Sequence, residues 1–169
     1  MALLLENKVL VHERRTADQF TQKGFGERED RDLVLDLWEA AYLCDKEKLE
    51  VVDEHRKPVA RDQLLAHAGK KDKRFYSKYL VYADLRTRGY IVKTGFKFGA
   101  DFRVYPRGKK PGEAHTEWVV HVFTQDDKFT FTEFSRMVRL AGNLKTKMLA
   151  AVVDAENAVN YYAVDRVTP

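Results

Sequence analysis

The chain has one cysteine, four prolines and nine glycines in 169 residues, and no apolar stretch near the roughly 20 residues that a membrane-spanning helix needs. The lone Cys44 excludes an internal disulfide and a multi-cysteine metal site; its apolar helical surroundings predict core packing. The apolar start, Ala2 to Leu5, stops at Glu6 and Asn7, far short of a signal-peptide core, so the expectation is a soluble cytoplasmic protein with no membrane partner. There is no internal repeat, low-complexity tract or long Pro/Gly-rich linker, so any domain boundary must be short.

What is present is an ordinary globular composition, 44% hydrophobic, with formal charge +4 and pI about 9.1. That excess is too mild to identify a polyanionic partner, but its distribution is informative. Basic residues crowd Lys70 to Lys110, whereas acidic ones dominate Glu27 to Asp36 and recur at Asp126 and Asp127. A polyanion is therefore expected at the middle of the chain.

Residues 8–12 read as a strand, Gly24 to Arg31 as a polar turn, and Asp32 to Cys44 as a helix with Leu33, Val34, Leu37, Trp38 and Ala41 at helical spacing. Leu49 to Val52 suits a short strand and Ala60 to Ala68 a helix closed by Gly69. Asp72 to Arg88 is helical, with Phe75, Tyr79, Tyr82 and Leu85 on one side and Gly89 placed to end it. Strands follow at Tyr90 to Lys93, Phe96 to Tyr105 and Glu117 to Phe123. Thr130 to Glu133 fits a capping box that opens a helix for Gly142 to terminate, and Met148 to Val153 with Val159 to Val164 reads as a closing hairpin. The expected fold is mixed α/β: a small N-terminal α/β domain over 1–72, then a C-terminal domain over 73–169 with a mixed sheet flanked by helices.

Strand alternation predicts Asp101, Arg103 and Tyr105 on one face, with Phe102 and Val104 on the other, so that Tyr105 ends a strand beside a basic loop. By itself such a tyrosine is ordinarily packing. His115 follows the flexible Gly108 to Gly112 loop, where an imidazole is both held and exposed. His121, His12, His55 and His67 read as packing or surface residues.

The run KYLVYADLRTRGYIVKTGFKFGADFRVYPRG, Lys78 to Gly108, resembles the signature of the archaeal tRNA-splicing (tRNA intron) endonucleases. The likeness continues through HTEWVVHVF, RMVRLAGN and KMLAAVVD, and LVLDLWEAAYL is similar to that family's first domain. The ordered series covers most of the chain beyond about residue 30.

This resemblance implies a C-terminal nuclease domain, precursor tRNA as substrate at bulge-helix-bulge junctions, and 2′,3′-cyclic phosphate and 5′-hydroxyl products. It also implies no cofactor, no metal, and a triad of tyrosine, histidine and lysine. Tyr105 matches the tyrosine and His115 the histidine. The lysine departs from the pattern, because Thr146 stands at its position between Lys145 and Lys147. Either lysine is a candidate if the turn after Gly142 is irregular. An alternative is a noncatalytic structural subunit, which Thr146 favours and the retained Tyr105 and His115 oppose. Arg139 matches an arginine implicated in gripping a bulged base, and Arg103, Arg107 and Lys97, with Lys93, Lys109 and Lys110, are candidate phosphate contacts. The family implies assembly as a homotetramer or dimer of dimers, or a heterotetramer. The Gln125 to Lys128 loop resembles one that docks into a neighbouring subunit, and the Val159 to Val164 strand offers a second contact. A metal-dependent nuclease built on Asp101 is a weak rival, since Glu117-Trp118-Val119 lacks the lysine two residues after the acid.

Overall fold

A computed structural model describes residues 1–169, which divide into two compact units, Met1–Tyr76 and Ser77–Pro169. The first unit runs β1 (Ala2–Leu4), β2 (Lys8–Val11), α1 (Arg14–Gln22), β3 (Glu27–Glu29), β4 (Asp32–Asp36), α2 (Leu37–Asp45), β5 (Val51–Val52), β6 (Pro58–Val59) and α3 (Arg61–Gly69). Its sheet has the order β3-β4-β2-β1-β5-β6, antiparallel except where β1 meets β5.

The helix expected from Asp32 begins only at Leu37. Asp32–Asp36 is instead a central strand, paired with β2 on one edge and β3 on the other. Leu33, Val34 and Leu35 are all buried, so the run is apolar on both faces, and its chance spacing with Leu37 and Ala41 mimics a helical stripe. The helix start is marked by Asp36 and Glu39: the buried Glu39 carboxylate accepts the Asp36 N–H at 2.9 Å and the Gly26 N–H at 2.9 Å. Gly26 has φ +63°, and a Cβ there would sit 2.7 Å from both Leu33 Cδ1 and Val34 O, so only glycine fits.

The second unit contains most of α4 (Phe75–Thr87), then β7 (Ile91–Thr94), a 3₁₀ turn at Phe96–Phe98, β8 (Phe102–Tyr105), β9 (Trp118–Thr124), α5 (Phe131–Asn143), β10 (Lys147–Val153) and β11 (Val159–Val164). The sheet order is β11-β10-β9-β8-β7; β9 and β10 are parallel, joined by the α5 crossover, and the other pairs are antiparallel. The α5 face of this sheet packs Val119, Met148 and Ala150 against Ala141, Met137 and Val138. The opposite face carries Phe102, whose ring lies 6.0 Å from that of Tyr82 on α4. No helix is long and apolar enough to cross a membrane.

Three further expectations are corrected. The strand expected from Phe96 begins at Phe102, because the 3₁₀ turn closes on Gly95, whose N–H donates to Asp101 O. Asp101 leaves the alternation: its N–H donates to Val120 O beside the Phe102–Val120 pair, which makes it the extra residue of a β-bulge. Gly142 does not end α5, which continues to Asn143.

Candidate active site

The antiparallel β8–β9 pair opens into the loop 106–117 at one end of the sheet. Tyr105 is the last residue of β8, and His115 stands in that loop three residues before Trp118. Glu117 N–H donates to Val104 O at 2.7 Å beside the Val104–Trp118 pair, so a second bulge sits where the loop re-enters the sheet. The parallel neighbour β10 begins at the same level, Lys147 pairing with Trp118, and Thr146 Oγ1 donates to Glu117 O at 2.6 Å. The topology thus brings Tyr105, the His115 loop and the segment 145–147 to one sheet end.

Tyr105 is 5% exposed, its hydroxyl makes no hydrogen bond within the chain, and that oxygen is not among the buried unpartnered atoms. A phenol so held has a fixed ring and an available oxygen. His115 is exposed and unpaired within the chain.

The turn before β10 decides what the two lysines can do. Thr146 N–H donates to Ala141 O and Lys145 N–H to Gly142 O, both at 3.0 Å, which closes α5 in a Schellman motif. Lys145 occupies the left-handed position of that motif at φ +55°, a place usually given to glycine and costing roughly 1–2 kcal/mol for a side-chain-bearing residue. The left-handed residue breaks strand parity, so Lys145 need not point away from the Tyr105 side. Lys147 does: it pairs with Trp118, which pairs with Val104, and Val104 faces opposite to Tyr105. Thr146 itself has its hydroxyl committed to Glu117 O.

The remaining predicted residues scatter. Arg139 is exposed on α5 and Lys97 on the 3₁₀ turn. Arg103 turns inward: its Nε donates to Thr94 O at 2.9 Å and its guanidinium lies 5.1 Å over Phe98. Arg107 is exposed, its guanidinium 4.9 Å over the Tyr90 ring. Asp101 Oδ2 accepts Val122 N–H at 2.7 Å while Lys78 Nζ is 3.6 Å from Oδ1, so its carboxylate is engaged in holding the bulge. Asp127 accepts from the N–H and hydroxyl of Thr124 within its own turn.

Two features go beyond the sequence reading, in which His121 is a packing or surface residue and Tyr90 and Trp118 are strand residues. His121 is buried with Nε2 lacking a hydrogen-bond partner; burial depresses its pKa, against the opposing pull of Asp101. Tyr90 and Trp118 pack edge to face at 5.4 Å and 70° just beyond Tyr105's strand end. Aromatic residues in strands are common, and nothing local in the sequence separates such a stack from a core.

Comparison with known proteins places these residues in a family. The profile for tRNA intron endonuclease, catalytic C-terminal domain, matches residues 75–161, and that for tRNA intron endonuclease, N-terminal domain, matches residues 1–65. A tRNA-splicing endonuclease of Methanothermobacter thermautotrophicus is 45% identical over 141 residues, covering 83% of this chain and 81% of the relative. Those of Thermococcus onnurineus and Pyrococcus abyssi are 40% and 36% identical over 146 and 155 residues, covering 86% and 92% of this chain and 83% and 88% of the relatives. With both domains matched in order, and with Tyr105 at the start of the His115 loop inside the C-terminal match, this chain belongs to the tRNA intron endonuclease family.

Proposed function

We propose that this endoribonuclease cuts precursor tRNA at bulge-helix-bulge exon-intron junctions, using Tyr105, His115 and Lys145. The observation that carries the reading is the convergence of the three segments at one sheet end, with Lys145 on a left-handed turn that frees it from strand parity. In the reaction the ribose 2′ oxygen forms a bond to phosphorus and the bond to the 5′ oxygen breaks. Tyr105 takes the 2′ proton, and His115 gives a proton to the leaving 5′ oxygen. A phenol acting as a base is helped by a cation near the reacting phosphate, and Lys145 is assigned that part. The same charge stabilises the phosphorane-like transition state. Products are a 2′,3′-cyclic phosphate and a 5′-hydroxyl, with no cofactor.

Arg139, Lys97 and Arg107 are assigned to the RNA surface, Arg139 by stacking on an unpaired base. Arg103 joins them only at its margin, its Nε being committed to Thr94. Two cut sites across a short RNA helix call for a two-fold assembly, as a dimer of dimers or tetramer acting in the cytoplasm. The edge strand β11, with Tyr162 59% exposed, and the Gln125 to Lys128 loop support such contacts.

The test is incubation with a bulge-helix-bulge RNA in EDTA, comparing wild type with Tyr105→Phe, His115→Ala, Lys145→Ala and Lys147→Ala. Cleavage should fall at least 100-fold in the first three and much less in the fourth. Wild-type cleavage indifferent to Tyr105 and His115 would end the mechanism. A second reading, a noncatalytic subunit of a heteromeric enzyme, is favoured by Thr146, which stands where the family has its lysine and is bonded to Glu117 O. Its signature is a wild-type protein that is inert alone and active only with a second, lysine-bearing subunit.

A further inference from the structure

The catalytic reading uses only the Tyr105 side of the sheet end, yet the other side is equally built. There Tyr90 and Trp118 form their edge-to-face pair, both half-buried, and Arg107 lies over the Tyr90 ring. Gly89 lies behind this approach: at φ +95° it follows the end of α4, its N–H donating to Arg86 O, and a Cβ there would make only ordinary contact with the Arg107 stem at 3.9 Å. Register puts the exposed Lys147 directly beside Trp118 on the same face.

The charges here are not neutralised internally. Arg88, which lies 5.6 Å over Tyr161 on the α4 side of the sheet, is bonded to Asp84 at 2.8 Å. Neither Arg107 nor Lys147 has such an ion pair in the chain. A guanidinium over one ring, a second ring beside it and an ammonium in register with that second ring match the needs of unstacked bases and their phosphates.

We propose that Arg107, Tyr90, Trp118 and Lys147 form a ledge that binds the single-stranded RNA adjoining the cut bond, the strand passing round the sheet end from the Tyr105 face. The proposal rests on the RNA-cleaving reading above. Arg107 is two residues from Tyr105, in a turn closed by Lys109 N–H on Pro106 O, so the two lie at most roughly 6–7 Å apart along the backbone and the ledge begins within reach of the neighbouring nucleotides. Lys147 acts there in binding, and Lys145 remains the cation of the cut site.

The experiment pairs a substrate carrying a single-stranded flank with one trimmed to the last nucleotide beside the cut. Wild type should prefer the flanked RNA by about tenfold in kcat/KM. Arg107→Gln and Tyr90→Leu should abolish that preference, and Tyr90→Phe should keep it. Arg107→Lys, a guard against misfolding, should lose the preference but retain the salt dependence of binding. That dependence is read as log Kd against log salt with a 2′-deoxy, uncleavable RNA; removing either cation should lower the slope by about 0.7. A wild type with no length preference, or variants that retain it and the full slope, would overturn the ledge. So would variants that shift only the oligomeric state, which would make the patch a protein contact. If wild type binds the flanked RNA through these residues but cuts neither substrate, the ledge stands and the catalytic reading fails.

Discussion

A single backbone angle separates the two lysines that flank Thr146. Lys145 takes the left-handed position closing α5, as Gly24 and Gly89 do for α1 and α4 and as Glu47 does for α2. Replacing a side-chain-bearing residue by glycine at such a position relieves strain, so Lys145→Gly should raise stability by about 0.5–1 kcal/mol in urea titration. The same variant should lose cleavage by two orders of magnitude or more, which separates it from a merely structural substitution. At this scale the sequence was only partly legible. Gly89 announces a helix end because glycine tolerates positive φ, whereas a lysine there carries no such signal, so Gly142 drew the expectation instead. Tyr105 and His115 were identifiable through family resemblance, since a strand-end tyrosine and a loop histidine are unremarkable in isolation.

Elements with a local signature were readable and those made by tertiary pairing were not. Thr130-Phe131-Thr132-Glu133 announced α5, and the structure has both halves of that box: Glu133 N–H donates to Thr130 Oγ1 at 3.2 Å and Thr130 N–H to Glu133 Oε2 at 2.7 Å. Because α5 is the crossover that leads into Lys145, its cap bears on the proposed site. Thr130→Ala should cost about 1 kcal/mol of stability for the second unit, measured by chemical denaturation, with cleavage of the folded fraction retained. By contrast, α1 buries only Ala17 and Phe20, too few apolar residues for a stripe to show. The Asp32–Asp36 strand is defined by its two neighbours rather than by its own spacing. Bulges at Asp101 and Glu117 likewise depend on the partner strand, and for that reason the predicted face of Asp101 failed.

For the molecule as a whole, the fold class and the order of domain types followed from the sequence, while one buried ring, legible there only as a packing or surface residue, contributes to the response of the second unit to acid. His121 has a folded pKa below the unfolded 6.5, with burial the dominant cause and Asp101 opposing it. Between those values the unfolded chain binds more protons, so stability is full above about pH 6.5 and falls as pH drops through the folded value. Urea midpoints at pH 7.5 and 5 should therefore differ for wild type, and His121→Leu should flatten the difference attributable to this ring. An unchanged pH dependence in that variant would assign acid sensitivity to other groups.

The parallel pairing of β9 with β10 has a consequence for synthesis. The hairpin bearing Tyr105 and His115 is synthesised before the residues near 145, which reach the same sheet end only by way of the intervening helix. On the proposed reading, a polypeptide still being made lacks part of the cut site until the segment near 145 has emerged.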